Sequence, residues 1–277
     1  MKVTLTGAAE TLLAPLYARA VDARSAHPLL ADPTAAKLLD SLDYDFSRLG
    51  IRSATAIGVA LRARFLDRRT QEFLAAHPDA TVLHLGCGLD SRVERVAPGP
   101  GVNWFDVDQP EVIDLRARLY APRPGHRTIA ASVTDADWLT QVPRDLPVLV
   151  VAEGLTMYLP ADEGPRMLRN LVGYFPQGEM VFDSYSRFAV RMTRPLPVFR
   201  QTGARLNWGI DDPRELERAV PGLRLIEAAR AFDTADRADV ERLPRAIRFR
   251  LRFEVEFLSR LPVLRRIGHI SRYAFGS

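Results

Sequence analysis

Residues 81–92 read TVLHLGCGLDSR: a short apolar run, two glycines on either side of a cysteine, then a helix-like stretch. Gly86 and Gly88 after a strand let the backbone pass close to a bound molecule, because any Cβ would occupy that space. Turns of this kind hold phosphorylated or nucleoside-like ligands. The next apolar run ends WFDVDQPEV, and Asp108 follows Gly86 by 22 residues. A carboxylate at the tip of a second strand can accept hydrogen bonds from both ribose hydroxyls. Asp106 and Asp108 alternate, so they share a face if the strand continues.

The turn discriminates between adenosine cofactors better than the ribose carboxylate does. A dinucleotide fingerprint requires a third small residue, but Gly88 is followed by Leu89, Asp90 and Ser91. Asp90 also places negative charge at the start of the next helix, where a pyrophosphate would need positive potential. A P-loop is excluded, since no Gly-Lys-Ser/Thr follows. S-adenosylmethionine has no phosphate; it carries an α-ammonium, a carboxylate and a sulfonium, and nearby carboxylates or carbonyls can take the ammonium. An NAD(P)-dependent oxidoreductase and a non-catalytic nucleoside-binding regulator are the alternatives.

The elements that hold these residues follow from hydrophobic spacing. In residues 8–23, Leu12, Leu13, Leu16, Tyr17 and Ala20 recur at helical intervals. DPTAAKLLDSL predicts a helix with Asp32 as N-cap and Pro33 in its first turn. GVALRARFLDRRTQEFLAA predicts a third, long helix ending at His77-Pro78. From residue 81 short apolar runs alternate with helix-length gaps, predicting strands at 81–86, 102–108, 127–131, 147–153, 179–185 and 223–229, and a last one at 269–275. This is an α/β pattern with a parallel sheet. The run VLVVA does not alternate, as a central strand covered on both faces should not. Arg248–Phe257 alternates like a strand, yet Leu243, Ile247, Leu251, Val255 and Leu258 mark one helical face; we read a helix. The chain reads as one domain: a helical cap (1–80), a cofactor core (81–185), an acceptor lid inserted after the fifth strand (186–222) with a short helix after Asp211-Asp212-Pro213, and the end of the sheet (223–277).

The 277 residues, 47% of them hydrophobic, can build a sizeable core. No run of roughly 18 apolar residues occurs, so no membrane span is expected. The first residues lack a compact apolar stretch with a cleavage site, so a cytoplasmic protein is expected. Cys87 is the sole cysteine, which rules out an internal disulfide or a cysteine metal cluster. The net charge is +4, and all but Lys2 and Lys37 of the 38 basic residues are arginine. They are scattered among carboxylates, which reads as GC-rich coding with arginine at surface positions, not as a nucleic-acid footprint.

Several ordered motifs together resemble the leucine carboxyl methyltransferase family, in particular its bacterial branch of small-molecule, polyketide-type O-methyltransferases. They are ETLLAPLYARA, LRARFLD, LHLGCGLDSR, WFDVDQPEVIDLR, SVTDADW, VAEGLTMYLP and NWGIDDPRELE, and they cover most of the chain. The resemblance implies an S-adenosylmethionine-dependent methyltransferase with a doubly wound, seven-stranded, mostly parallel Rossmann-like sheet. It implies that Gly86, Cys87 and Gly88 line the cofactor and Asp108 holds the ribose. Arg62 would pair with the cofactor carboxylate, with Arg64 as the fallback, and Glu153 would bind the ammonium. The protein-methylating branch has an aspartate at the adenine, whereas this chain reads Ser132-Val133-Thr134-Asp135. Ser132 and the Val133 amide can still meet the adenine; the charged acceptor is gone or has moved to Asp135.

Methyl transfer is an in-line displacement, so alignment matters most. A base is needed only if the acceptor must lose a proton: a carboxylate is already ionised, while a phenol with pKa near 10 is not. No histidine–carboxylate pair stands out among His27, His77, His84, His126 and His269. His84 reads as a core histidine, and His77 and His126 as loop residues. This favours a carboxylate acceptor or an acidified phenol. The acceptor is a small molecule, with candidate contacts Tyr17, Arg19, Met157, Tyr158, Tyr185, Arg187, Asn207 and Trp208; Tyr158 and Tyr17 lead as positioning residues.

Overall fold

The computed structural model describes residues 9–51, 53–193, 202–230 and 267–276, with Glu241, Arg245 and Arg248 besides. The strands are β1 (Ala80–Leu85), β2 (Val102–Asp108), β3 (His126–Ala130), β4 (Val148–Ala152), β5 (Gly178–Tyr185), β6 (Arg224–Arg230) and β7 (Gly268–Phe275). They form one sheet in the order β3-β2-β1-β4-β5-β7-β6. β1 to β5 pair in parallel, and β7 runs antiparallel between β5 and β6. Each strand lies within a residue of the apolar run that predicted it. β4 is buried at every position, as its unbroken apolar sequence requires.

Alternation sends successive side chains to opposite faces. Val82, Trp104, Val151 and Val181 pack under Phe65, Leu66 and Phe73 of α3 (Ser53–Ala76). Leu83, Phe105, Val150 and Phe182 pack on the other face with Met167, Leu168 and Leu171 of α6 (Glu163–Tyr174). Short helices α4 (Arg92–Val96) and α5 (Pro110–Leu119) follow β1 and β2. Helix α7 (Arg187–Met192) follows β5, and α8 (Glu215–Ala219) precedes β6, after the Asp-Asp-Pro that predicted a helix there.

The first helices lie at the strand tips. α1 (Leu13–Ala23) and α2 (Pro33–Ser41) share an apolar cluster with Leu89 of the glycine turn and Leu115 of α5. Asp32 caps α2, accepting from the Ala35 amide at 2.9 Å. It also accepts from Ser91 Oγ at 2.7 Å and Arg95 Nη1 at 2.9 Å, so one buried carboxylate both caps a helix and ties it to the turn after β1. Of the 186–222 stretch, residues 202–210 dock beside β4 and β5 through Asn207 N to Met157 O (2.7 Å) and Ile210 N to Tyr185 O (2.8 Å). Its residues 194–201, and the Arg248–Phe257 helix reading apart from Arg248 itself, lie outside the described residues.

Asp32→Ala removes the cap and leaves the nearly buried Arg95 short of a carboxylate. A stability loss of about 3 kcal/mol is expected in chemical denaturation; a loss below about 1 kcal/mol would mean that the tie to the turn contributes nothing beyond a cap.

Candidate active site

β1 and β4 carry the turns that open the site. Gly86 and Gly88 both have positive φ, +61° and +49°. A Cβ on Gly86 would lie 2.8 Å from Leu155 Cδ1, a methyl group that can move aside, so it is the backbone conformation that reserves the position for glycine. A cavity of about 680 Å³ opens here. Arg62, Gly86, Cys87, Gly88, Asp108, Ser132, Val133 and Glu153 all line it. Gly86 and Asp108 therefore face one space.

Asp108 stands at the tip of β2. Its Oδ2 accepts from the Gly88 amide and its Oδ1 from the Gln109 amide, both at 2.7 Å. Burial raises its pKa; those two amides pull the other way. Asp106 shares the strand but not the cavity lining. It is fully buried and accepts from Trp104 Nε1 at 2.9 Å and from Arg116. Burial would raise its carboxyl, yet Arg116 and the bonds from His126 and His84 hold it well below the ordinary range. Arg116 reaches on to the Gly88 and Asp90 carbonyls, both at 2.8 Å. Asp106 thus braces the turn that Asp108 touches.

Two readings from the sequence change at this point. Asp106 pairs with His84 Nδ1 at 3.1 Å and with His126 Nε2 at 2.8 Å, although no histidine–carboxylate pair was evident along the chain. The parallel register sets His84 beside Asp106, and His126 is the first residue of β3, not a loop residue. Arginine is also not confined to the surface. Arg19, Arg92 and Arg116 are buried, because carboxylates from distant elements meet them.

Those arginines build the inner wall. Glu153, just past β4, accepts from Arg62 Nε at Oε1 (3.0 Å) and from Arg92 at Oε2. Arg62 also donates to Asp183 Oδ2 at 2.9 Å, and Asp183 Oδ1 accepts from the Gly154 amide at 2.6 Å. Burial works to raise the Glu153 carboxyl, but Arg62 and Arg92 leave it lowered; for Asp183 burial prevails and its pKa is raised. Asp90, buried in the turn, is held well below the ordinary range against burial by Arg19, Arg95 and Arg92. The hub role of Arg92 and the part of Asp183 escaped the sequence reading. The only hint was alternation in EMVFDSY, which sets Asp183 on the face of Tyr185.

The remaining candidates divide. Arg19, Met157, Tyr158 and Tyr185 line the cavity. Tyr158 hydrogen-bonds the Thr11 side chain; burial raises the pKa of both Tyr158 and Tyr185. Tyr17 does not line it. Pro15 and Arg19 occupy the cavity face of α1, and helical periodicity turns Tyr17 away to stack on Phe46 at 5.5 Å. Trp208 packs in the sheet core over Gly164, where a Cβ would come within 2.1 Å of its ring. Asn207 Nδ2 bonds the Tyr158 carbonyl at 3.0 Å, and Arg187 pairs with exposed Asp211 and Glu215. Arg64 binds the Leu29 carbonyl at 2.7 Å, so Arg62 is the cavity arginine. Asp135 accepts from the Asp137 amide at 3.2 Å and does not line the cavity. Thr11, Leu12 and Pro15 before and within α1, and Leu206 of the 202–210 segment, complete the walls.

A parallel sheet with an antiparallel β7 between β5 and β6, a glycine turn after β1 and a carboxylate at the tip of β2 defines a class I S-adenosylmethionine-dependent methyltransferase. Two solved structures share the fold. One is a candidate methyltransferase from Thermobifida fusca, with TM-score 0.60, 17% identity and 94% of each chain covered. The other is a DUF574 family protein from Streptomyces avermitilis, with TM-score 0.59, 13% identity and coverage of 93% of this chain and 96% of that one. The chain belongs to the leucine carboxyl methyltransferase family, whose profile matches residues 13–172. It is 46% identical over 99% of its length, and 98% of the relative's, to the tetracenomycin polyketide synthesis O-methyltransferase TcmP of Streptomyces glaucescens. It is 42% identical to the S-adenosyl-L-methionine-dependent methyltransferase dpfgK of Gibberella zeae, covering 82% of this chain and 83% of that one. It is a methyltransferase and its cofactor is S-adenosylmethionine. Among the described residues no helix is long and apolar enough to cross a membrane.

The lowered carboxyls Asp90, Asp106 and Glu153 add stability above their unfolded pKa near 4, and lose it as pH falls through their lower folded values; the raised Asp108 and Asp183 oppose this. Denaturation stability is expected to be level near neutral pH and to fall below about pH 4. A profile that holds or rises on acidification would show that these ion pairs are not intact in solution.

Proposed function

We propose that this chain transfers a methyl group to an oxygen, carboxylate or phenol, of a small polyketide-type acceptor. The observation that carries the reading is the convergence of Gly86, Gly88, Asp108, Arg62 and Glu153 on one cavity. The likeness to TcmP over nearly the whole chain supports the acceptor class.

The residues fit the cofactor group by group. Asp108, its two oxygens steadied by backbone amides, offers its remaining lone pairs to the ribose hydroxyls. Glu153, kept ionised by two guanidiniums, suits the ammonium. Arg62 suits the carboxylate, with a planar fork that can bond it at two points. Ser132 and the Val133 amide serve the adenine. The turn lacks the third small residue of a dinucleotide fingerprint, with Leu89, Asp90 and Ser91 after Gly88, which counts against the oxidoreductase alternative.

Bound S-adenosylmethionine supplies a methyl carbon made electrophilic by its sulfonium. The chain contributes position and exclusion of water. Tyr158 and Tyr185 stay protonated at neutral pH, so they orient the acceptor as hydrogen-bond donors and do not deprotonate it. His84 lines the cavity and is oriented by Asp106 at Nδ1, so a phenol acceptor would have a base to draw on there. A carboxylate acceptor needs none. Leu12 and Leu206 close the cavity from the N-terminal segment and the 202–210 segment.

Incubation with S-adenosylmethionine and a tetracenomycin-type aromatic acid should yield a product heavier by one methylene. A methyl ester is cleaved by mild alkali and an aryl ether is not; no methylated product from any aromatic acid or phenol would end the proposal. Asp108→Ala is expected to weaken S-adenosylmethionine binding by about 1–3 kcal/mol in calorimetry. Unchanged affinity would remove Asp108 from the ribose.

A further inference from the structure

We propose that Arg92, which does not line the cavity, is a positioning residue that anchors one oxygen of Glu153 and so aims the other at the cofactor ammonium. The inference rests on the reading of Glu153 given above.

Arg92 opens α4, and its side chain is 0% exposed. It meets three carboxylates from three parts of the chain: Asp67 of α3 at 2.8 Å, Asp90 of the glycine turn at 3.3 Å, and Glu153 beyond β4. Glu153 is held by its two oxygens in opposite senses. Oε2 goes to Arg92 behind the wall and Oε1 to Arg62 at the cavity. A cofactor ammonium can compete with Arg62 for Oε1 only while Oε2 stays anchored. Without Arg92, Glu153 has one cationic partner close by and is free to turn both oxygens onto Arg62. The other charged groups around Glu153 are Asp90 of the turn, which raises its pKa, the more distant Arg19 of α1, which lowers it, and Asp183 of β5, which shares Arg62 with it. The two nearby carboxylates make the loss of one guanidinium costly.

Arg95 is the internal control. It shares Asp67 at 2.7 Å and Asp90 at 2.7 Å with Arg92, and binds Asp32, but it has no recorded contact with Glu153. A purely structural role for the cluster would make Arg92 and Arg95 equivalent.

The test is the dissociation constant of S-adenosylmethionine measured by calorimetry between pH 5 and 7, where its ammonium keeps its proton, with the parent compared at each pH; it needs no acceptor. Arg92→Gln is expected to weaken binding about tenfold at pH 7, with a further loss at the acid end of the range as Glu153 takes up a proton. Arg92→Lys keeps the charge but not the fork; it should bind about threefold to fivefold more weakly than the parent and follow the parent's pH profile. Arg95→Gln should lower the melting temperature without creating the acid-dependent loss. If Arg92→Gln does not fold, Arg92→Lys decides: parental affinity overturns the proposal. So does an Arg95→Gln profile that matches Arg92→Gln. Glu153→Gln separates this proposal from its premise: if it binds S-adenosylmethionine as the parent does, the ammonium assignment itself fails. If Glu153→Gln loses affinity while both Arg92 variants keep it, only the positioning role fails.

Discussion

Asp90 is a buried carboxylate with guanidiniums from Arg19, Arg92 and Arg95 around it, and the arrangement of the strand tips follows from satisfying that charge. An ion taken out of water is tolerated only when paired and hydrogen-bonded. Here the partners come from α1 and α4, and they bind in turn Asp32 before α2, Asp67 of α3 and Glu153 beyond β4. The cluster fastens the first helices to the edge of the sheet where the cavity opens. Cavity wall and helical cover are one electrostatic unit, and the apolar contact of α1 and α2 with Leu89 and Leu115 fills in around it.

A second brace works from beneath. Asp106 is placed by β2 under the glycine turn, and Arg116 of α5 carries its charge up to the Gly88 and Asp90 carbonyls. The turn is held by carbonyls below and by the Asp108 carboxylate at the Gly88 amide. Two carboxylates two residues apart on one strand thus divide their work. The buried one is kept strongly ionised by an arginine, and the one at the tip is left for a ligand. This division suits methyl transfer, which asks for rigid placement of two groups and little proton chemistry. The same brace takes up two histidines, since Asp106 orients both His84 and His126.

The fold was legible because its signals are local. An unbroken apolar run marked β4, short apolar runs at helix-length spacing marked its neighbours, and Asp32-Pro33 marked the start of α2. The glycine turn and Asp108 were legible for the same reason, since a strand ending in Gly-x-Gly and a carboxylate after the next strand are read along one stretch of chain. Tyr17 and Trp208 were not. Their aromatic character suggested a binding wall, but helical phase turns the first away and the absence of a Cβ at Gly164 draws the second into the core.

What the sequence determined by itself is the order of strands and helices, the glycine turn and the carboxylate at the tip of β2, because periodicity and turn chemistry act over a few residues. Only the tertiary structure decided which of many scattered arginines are buried and which carboxylates they serve. Arg92 finds Asp67 and Glu153 across 25 and 61 residues of chain, and His84 finds Asp106 across 22. Charges attract at close range without regard to sequence separation, so pairs of this kind exist only once the sheet register has brought their strands side by side.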